Sequence, residues 1–336
     1  MKLITYLQRN GLQQLAVLVD GKAYDMNRLH KDLSSRMDLF LKHWDIQYPL
    51  ALQAIRKLEQ RQLPTAYGTP LDELTLMSPV PCPASCRDGY AFRQHVEAAR
   101  RNRGLGMIPQ FDEYPVFYFT NHQAVQGPGD IVCMPDHFNK LDFELEVAFV
   151  VCKQGKNILA KKADQYIGGL MVMNDMSART LQMEEMLLNL GPAKGKDFTT
   201  CFGPCLVTID ELKPYEVRCK EGHTGLSWDL PMSATVNGIK VSEGNLKDMD
   251  WTFAELIERA SYGVTLYPGD IIGSGTVGTG CFLELNGTNK TNQWLQSSDV
   301  VELSVEGLGT LRNTIVADAS NHSILQLKKQ QHGVQC

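Results

Sequence analysis

The chain has no surplus of positive charge: 33 Lys and Arg residues face 38 Asp and Glu, for a net charge of −5. A surface that tracks nucleic-acid phosphates needs a basic stripe. The densest cationic stretch, Arg100, Arg101 and Arg103, is too short for that and reads as a solvated helix face. Also missing is any window of roughly 18 apolar residues, the length of a membrane span. The opening segment, Met1-Lys-Leu-Ile-Thr-Tyr-Leu-Gln-Arg9, has no long apolar run and no small-residue cleavage site, so no signal peptide is expected. Cysteine occurs nine times, without metal-type spacing. The closest pairs, Cys82 with Cys86 and Cys201 with Cys205, lack a second Cys/His pair at zinc-finger distance. Free thiols in a cytoplasmic protein are the expectation. Internal repeats are absent too.

The composition, 43% hydrophobic and 21% charged, is that of an ordinary globular chain. Lys2–Leu7 and Leu15–Val19 read as strands, and Asp20-Gly21 is a hairpin signal. Residues 27–61 read as helical. Pro64, Pro70, Pro79, Pro81 and Pro83 then mark a linker. This divides the chain into a small N-terminal domain at 1–77 and a larger domain at 78–336.

Beyond the linker, Asp142–Val151, Gly168–Asn174, Pro204–Thr208, Ser233–Val236, Val264–Ile272, Cys281–Leu285 and Asp299–Val305 read as extended. Helices are expected at Tyr90–Arg103, Ser177–Asn189 and Thr252–Ala260. Strands dominate without regular crossover helices. That pattern argues for a strand-rich α+β fold, a mixed β-roll or barrel, and against a doubly wound sheet. Gly273-Ser-Gly275-Thr-Val-Gly278 fits G-x-G-x-x-G, but a nucleotide fingerprint requires a helix next. The sequence places a strand at Cys281–Leu285, which counts against nucleotide binding.

The most informative segment is Leu141-Asp-Phe-Glu-Leu-Glu-Val-Ala-Phe-Val150. On a strand, Phe143, Leu145, Val147 and Phe149 share one face, and Glu144 and Glu146 share the other. Two glutamates with no Lys or Arg between them repel unless a cation sits nearby. The bland alternative is a solvated edge-strand face. Asp175 ends the apolar run Gly169-Leu-Met-Val-Met-Asn174, where it either caps the next helix or projects into a cleft. Asp88, before Gly89, is either a turn residue or a fourth ligand. An all-carboxylate set favours a hard divalent ion, Mg²⁺, Ca²⁺ or Mn²⁺.

Several segments, in order from about 80 to 310, resemble one family. Asp88-Gly-Tyr90-Ala-Phe-Arg-Gln-His95 is similar to the Asp-x-Tyr-x-x-Arg-Gln-His of fumarylacetoacetase. Phe143-Glu-Leu-Glu146 resembles its paired-glutamate strand. Asn174-Asp-Met-Ser-Ala-Arg179-Thr-Leu-Gln182 resembles its Asn-Asp-x-Ser-Ala-Arg-x-x-Gln. Gly195-Lys196-Asp-Phe-Thr-Thr200 resembles its Gly-Lys-x-Phe-x-Thr, although Asp197 replaces the usual Ser. Ser274-Gly-Thr276 and Leu283-Glu284-Leu complete the set.

The resemblance implies a fumarylacetoacetase-type catalytic domain that hydrolyses a carbon–carbon bond in a β-diketo acid such as fumarylacetoacetate, a step of tyrosine catabolism. It implies Mg²⁺ or Ca²⁺ held by Asp88, Glu144, Glu146 and Asp175, with Lys196 and Thr200 beside them. His95 would be the general base, oriented by Glu284. Arg179, Gln182 and Lys196 would stabilise an oxyanion. Tyr90, Arg103, Tyr118 and Thr276 would bind substrate, with Arg103 and the two tyrosines at its distal carboxylate. A homodimer is expected. Alternatives are an acylpyruvase, a 2-oxo-acid decarboxylase or an isomerase of the same family, or a non-catalytic metal-binding protein.

Overall fold

The structure is a computed structural model and describes residues 1–63 and 67–327. It is strand-rich α+β. One sheet runs through Thr69–Pro70, Lys22–Asp25, Gln13–Val19, Lys2–Leu7, Thr200–Thr208, Ile167–Asp175, Leu145–Val151, Asp270–Gly273, Ser85–Gly89 and Phe117–Thr120. A second sheet orders Ile239–Asn245, Pro231–Val236, Val300–Val305, Gly309–Ala317 and Gly129–Cys133. Neither sheet closes on itself, so the architecture is roll-like. No helix among the described residues is long and apolar enough to cross a membrane.

The N-terminal hairpin forms as its sequence dictates. Val19 pairs with Lys22 across Asp20 and Gly21, both at positive φ, the backbone that a two-residue turn demands. The segment then joins the main sheet directly, with Lys2–Leu7 pairing antiparallel to Thr200–Thr208. Residues 27–61 are not one helix. They form Met26–Leu29, Met37–Lys42 and Trp44–Glu59. The Gln47 side chain bonds the Asp32 carbonyl and the Ser34 amide, holding the first break in a non-helical form. Pro64 of the proline run lies outside the described residues.

Leu145–Val151 is buried on both faces. Phe143, Leu145, Val147 and Phe149 join one core, with Val172, Phe253 and Leu303. Ala148 and Val150 join the other, with Cys86, Met173 and the N-terminal Leu3 and Leu15. Glu144 and Glu146 continue this second face towards the start of the strand. They are interior, not on a solvated edge.

Two further expectations fail. Val264–Ile272 breaks at Pro268-Gly269 into Thr265–Leu266 and Asp270–Gly273. Cys281–Leu285 is not a strand but the start of helix Phe282–Asn289. Five residues of mixed polarity cannot separate the two periods.

A helix therefore does follow the Gly273–Gly278 loop, so the sequence argument against a nucleotide falls. The glycines nevertheless serve internal packing. A Cβ on Gly275 (φ +78°) would lie 2.7 Å from the Gly89 carbonyl oxygen, and one on Gly278 would lie 2.3 Å from Gln94. Close packing thus accounts for both glycines without a ligand.

Close strand approach gives a direct test. A Cβ on Gly169 would sit 2.5 Å from the Val207 carbonyl oxygen in the adjacent strand. Gly169→Ala is expected to destabilise the fold by about 1–3 kcal/mol through overpacking, read from urea unfolding. An unchanged midpoint would show that the strands separate there without cost.

Candidate active site

Sheet register brings four acids from distant sequence to one place. Leu145 pairs with Asn174, so the start of one strand lies beside the end of the next, where Asp175 sits. Gly273 pairs with Asp88 in parallel and with Ala148 antiparallel. Gly273 has no room for a Cβ, which would fall 2.4 Å from Asp88 Oδ1. Asp88, Glu144, Glu146 and Asp175 thus each offer an oxygen within 4.8 Å of the others, and all four are buried.

Two cations from the following segment face them. Lys196 Nζ donates to Glu144 Oε2 at 2.5 Å and to Asp175 Oδ2 at 2.7 Å. Arg179 Nη2 donates to Glu144 Oε1 at 2.8 Å. Lys196 closes helix Ala193–Lys196, and the neighbouring Gly195 lies against Gln182, where any Cβ would fall 2.5 Å from its backbone nitrogen. The sequence shows no Lys or Arg between the glutamates because both arrive through the fold.

Charge then divides the acids. Burial pushes Glu144 up, but Lys196 and Arg179 outweigh it and hold its carboxyl down at about 2. Burial and the nearby Asp175 carry Asp88 up to about 7. Burial and Asp88 push Glu146 well above the ordinary range. Burial also raises Asp175, with Lys196 opposing and Glu144 reinforcing the shift. Burial and mutual repulsion thus disfavour the state in which all four are ionised without a further cation.

Unsatisfied buried oxygens point the same way. Glu146 Oε2 and Asp175 Oδ1 are buried without a hydrogen-bond partner, as is Thr200 Oγ1, and Thr200 pairs with Asp175 in the sheet. Buried oxygens are otherwise nearly always satisfied. An oxygen-only donor set with two orphaned carboxylate oxygens fits a hard divalent ion.

These groups open onto a cavity of about 670 Å³ whose lining includes Asp88, Glu144 and Lys196. His95, on helix Arg93–Arg101, lines it too, and its Nδ1 lies 2.7 Å from Glu284 Oε2. Glu284 Oε1 accepts from the Thr279 amide at 2.9 Å. Glu284 belongs to the first turn of a helix, not to the strand the sequence suggests.

Tyr90, Arg103, Thr276 and Gln182 line the same cavity. Thr276 Oγ1 donates to Glu146 Oε1 at 3.2 Å. Tyr118 lines this cavity too, and its hydroxyl donates to Asp175, which ties it to the carboxylate cluster. Arg103 is exposed, and its Nε donates to the Ala99 carbonyl. Arg179 lines the cavity as well, with most of its donors directed to Asp142, Gln182 and Glu144.

Asp142 went unnoticed in the sequence. It is fully buried and bonds Arg179 and two amides of the Glu284 helix. The signal was available, since Asp142 precedes Glu144 and Glu146 in the same i, i+2 series. Distal lining by Met183, Met186 and Trp294 had no such signal.

The fumarylacetoacetate (FAA) hydrolase C-terminal family matches residues 85–316, more than half of the chain. Mitochondrial oxaloacetate tautomerase of Bos taurus is 32% identical over 305 residues, covering 88% of this chain and 84% of its own. Oxaloacetate tautomerase of Bacillus subtilis is 31% identical over 252 residues, covering 73% and 74%. Among solved structures, fumarylacetoacetate hydrolase from psychrophilic Exiguobacterium antarcticum is similar with a TM-score of 0.68 at 22% identity, over 95% of this chain and 100% of that one. Maleylpyruvate hydrolase from Sphingobium sp. SYK-6, in complex with manganese(II) ion and pyruvate, gives 0.67 at 19%, over 94% and 99%. These structures share the fold. The chain belongs to the fumarylacetoacetate hydrolase family.

The acid cluster has a pH signature. Asp88 keeps its proton to about pH 7 in the folded chain, against about 3.9 when unfolded. The folded state therefore binds the extra proton within that window. Its contribution to stability is full below the window and lost as pH rises through 7. Buried His137, lowered to about 4, adds an opposite slope below about pH 6.5, so the metal-free melting temperature is expected to fall from about pH 6.5 to about pH 8, and Mg²⁺ or Mn²⁺ to raise it more at the higher pH. A metal-free protein that gains stability over this range, with no added effect of either ion, would refute the reading of the cluster.

Proposed function

Taking that membership as premise, we propose that the chain is a tautomerase of a small 2-oxo acid, interconverting the keto and enol forms of an oxaloacetate-like substrate. The observation that carries this is His95, held by Glu284, lining the same cavity as Asp88 and Glu144 of the acid cluster. The names of relatives more than 30% identical along most of the chain support it.

The ion would be held by Asp88, Glu144, Glu146 and Asp175. When bound, it supplies a Lewis acid that polarises the 2-oxo group and acidifies the adjacent C–H. His95 takes the proton from C3 through the ring nitrogen not facing Glu284. Glu284 fixes the ring and stabilises the imidazolium. The imidazolium then returns the proton to the oxygen on C2, giving the enol; the reverse sequence gives the ketone. One base serves both atoms because C3 and that oxygen are neighbours in the substrate. Lys196 has three donors and spends two on Glu144 and Asp175, so the third is available to the substrate carboxylate or the developing negative charge.

The cavity supports a second reading. About 670 Å³ is generous for a four-carbon acid, and the same pair of residues suits water activation. Hydrolysis of a 1,3-diketo acid would use His95 to deprotonate water, with Arg103 and Tyr90 at the distal end. For either chemistry we propose a homodimer, which light scattering would check.

Parent enzyme with Mg²⁺ or Mn²⁺ is expected to accelerate decay of the enol absorbance of oxaloacetate, and a chelator to abolish this. His95→Ala should lower kcat by roughly 10²–10⁴ while metal content persists. Failure on oxaloacetate together with cleavage of acetylpyruvate or fumarylacetoacetate would install the hydrolase. Near-normal turnover by His95→Ala would remove the residue from both schemes.

A further inference from the structure

Helix Phe282–Asn289 starts without help from its own flank: Cys281, at the capping position, makes no side-chain cap. A residue far away in sequence takes that role. Asp142 Oδ1 accepts from the Phe282 amide at 2.8 Å, and Oδ2 from the Leu283 amide at 2.9 Å. Oδ1 also accepts from the Phe143 amide at 3.0 Å. Oδ2 accepts from Arg179 Nε at 2.8 Å, with Nη2 at 2.7 Å. Asp142 is fully buried and is not among the cavity-lining residues, so substrate does not touch it.

Each partner leads to the site. Leu283 is followed by Glu284, whose Oε1 is committed to Thr279 and whose Oε2 meets His95. Displacing the first turn by an ångström would break that 2.7 Å contact and misplace the base. On the other side, the same Arg179 nitrogen that meets Asp142 also reaches Glu144.

We propose that Asp142 is a positioning residue: its buried carboxylate, itself held by Arg179, fixes the first turn of the Glu284 helix and with it the His95–Glu284 pair. This rests on the reading of His95 and Glu284 as the proton-moving pair. A helix cap with only a structural role would affect stability alone, so the test must separate stability from turnover.

Asp142→Asn keeps the shape but turns one acceptor into a donor, against amides and a guanidinium that also donate. Measured on the substrate that the parent turns over, kcat is expected to fall about 10–100-fold, the usual loss for an outer residue that orients a ligand or base. KM should hardly move, and Mn²⁺ binding by calorimetry should persist. In a Glu284→Gln background the same change should lower the residual kcat by less than about twofold, because the route through Glu284 is already cut. The drop in melting temperature should be equal in both backgrounds.

Equal losses of kcat in the two backgrounds would overturn the proposal, and so would a rise in KM alone. If Glu284→Gln by itself leaves kcat intact, the proton-moving pair is wrong and Asp142 loses its role with it. Should Asp142→Asn not fold, Asp142→Ser, whose hydroxyl is also a good helix cap, carries the same cycle. Failure of both to fold would make Asp142 a structural joint and nothing more.

Discussion

Four carboxylates packed within 4.8 Å of one another inside a protein are the constraint on which the rest of this structure depends. Two unit charges 4 Å apart repel by about 4 kcal/mol at an effective dielectric of 20, and here there are several such pairs. The fold answers with Lys196 and Arg179, which carry Glu144 far below the others. The remaining repulsion is met by protons or by a divalent ion. The acids come from the sheet and the cations from the helices after it, so the balance exists only in the folded chain.

That origin explains what the sequence could and could not disclose. Strict alternation in Phe143–Val150 predicts a strand with two faces, and those faces do enter two different cores. Asp88, Glu144, Glu146 and Asp175 carried local signals: a shared face, a strand end and an Asp-Gly step. Their convergence depends on a register in which Gly273 lies between Asp88 and Ala148, and no local pattern encodes register. The start of the Glu284 helix was hidden for a related reason. Its cap, Asp142, belongs to another segment, so the flank looked extended.

The N-terminal segment makes the same point about boundaries. A proline run reads as a linker, yet the 1–77 stretch contributes strands to the main sheet, and Thr5 Oγ1 bonds the Pro79 carbonyl. Leu3, Leu15 and Val17 pack with Met171, Met173 and Phe202, on the face that bears the acids. The segment therefore backs the two strands that deliver Glu146 and Asp175, and its burial helps to hold those acids away from water.

The physical line between tautomerase and hydrolase is drawn by what His95 meets, not by how it is held. In the proposed scheme the Glu284 contact, the acid cluster and Lys196 would serve either chemistry, because both would begin with a polarised 2-oxo acid beside the His95 ring. A proton taken from carbon and returned to oxygen requires that no water stand between the ring and C3. A proton taken from water requires that one does. The cavity lining joins an apolar stretch, Met183, Met186, Leu283 and Trp294, to the polar groups around His95. Under the proposed scheme, the choice between the two reactions would turn on how the apolar part of this wall seats the substrate against His95, a region where the sequence motifs are silent.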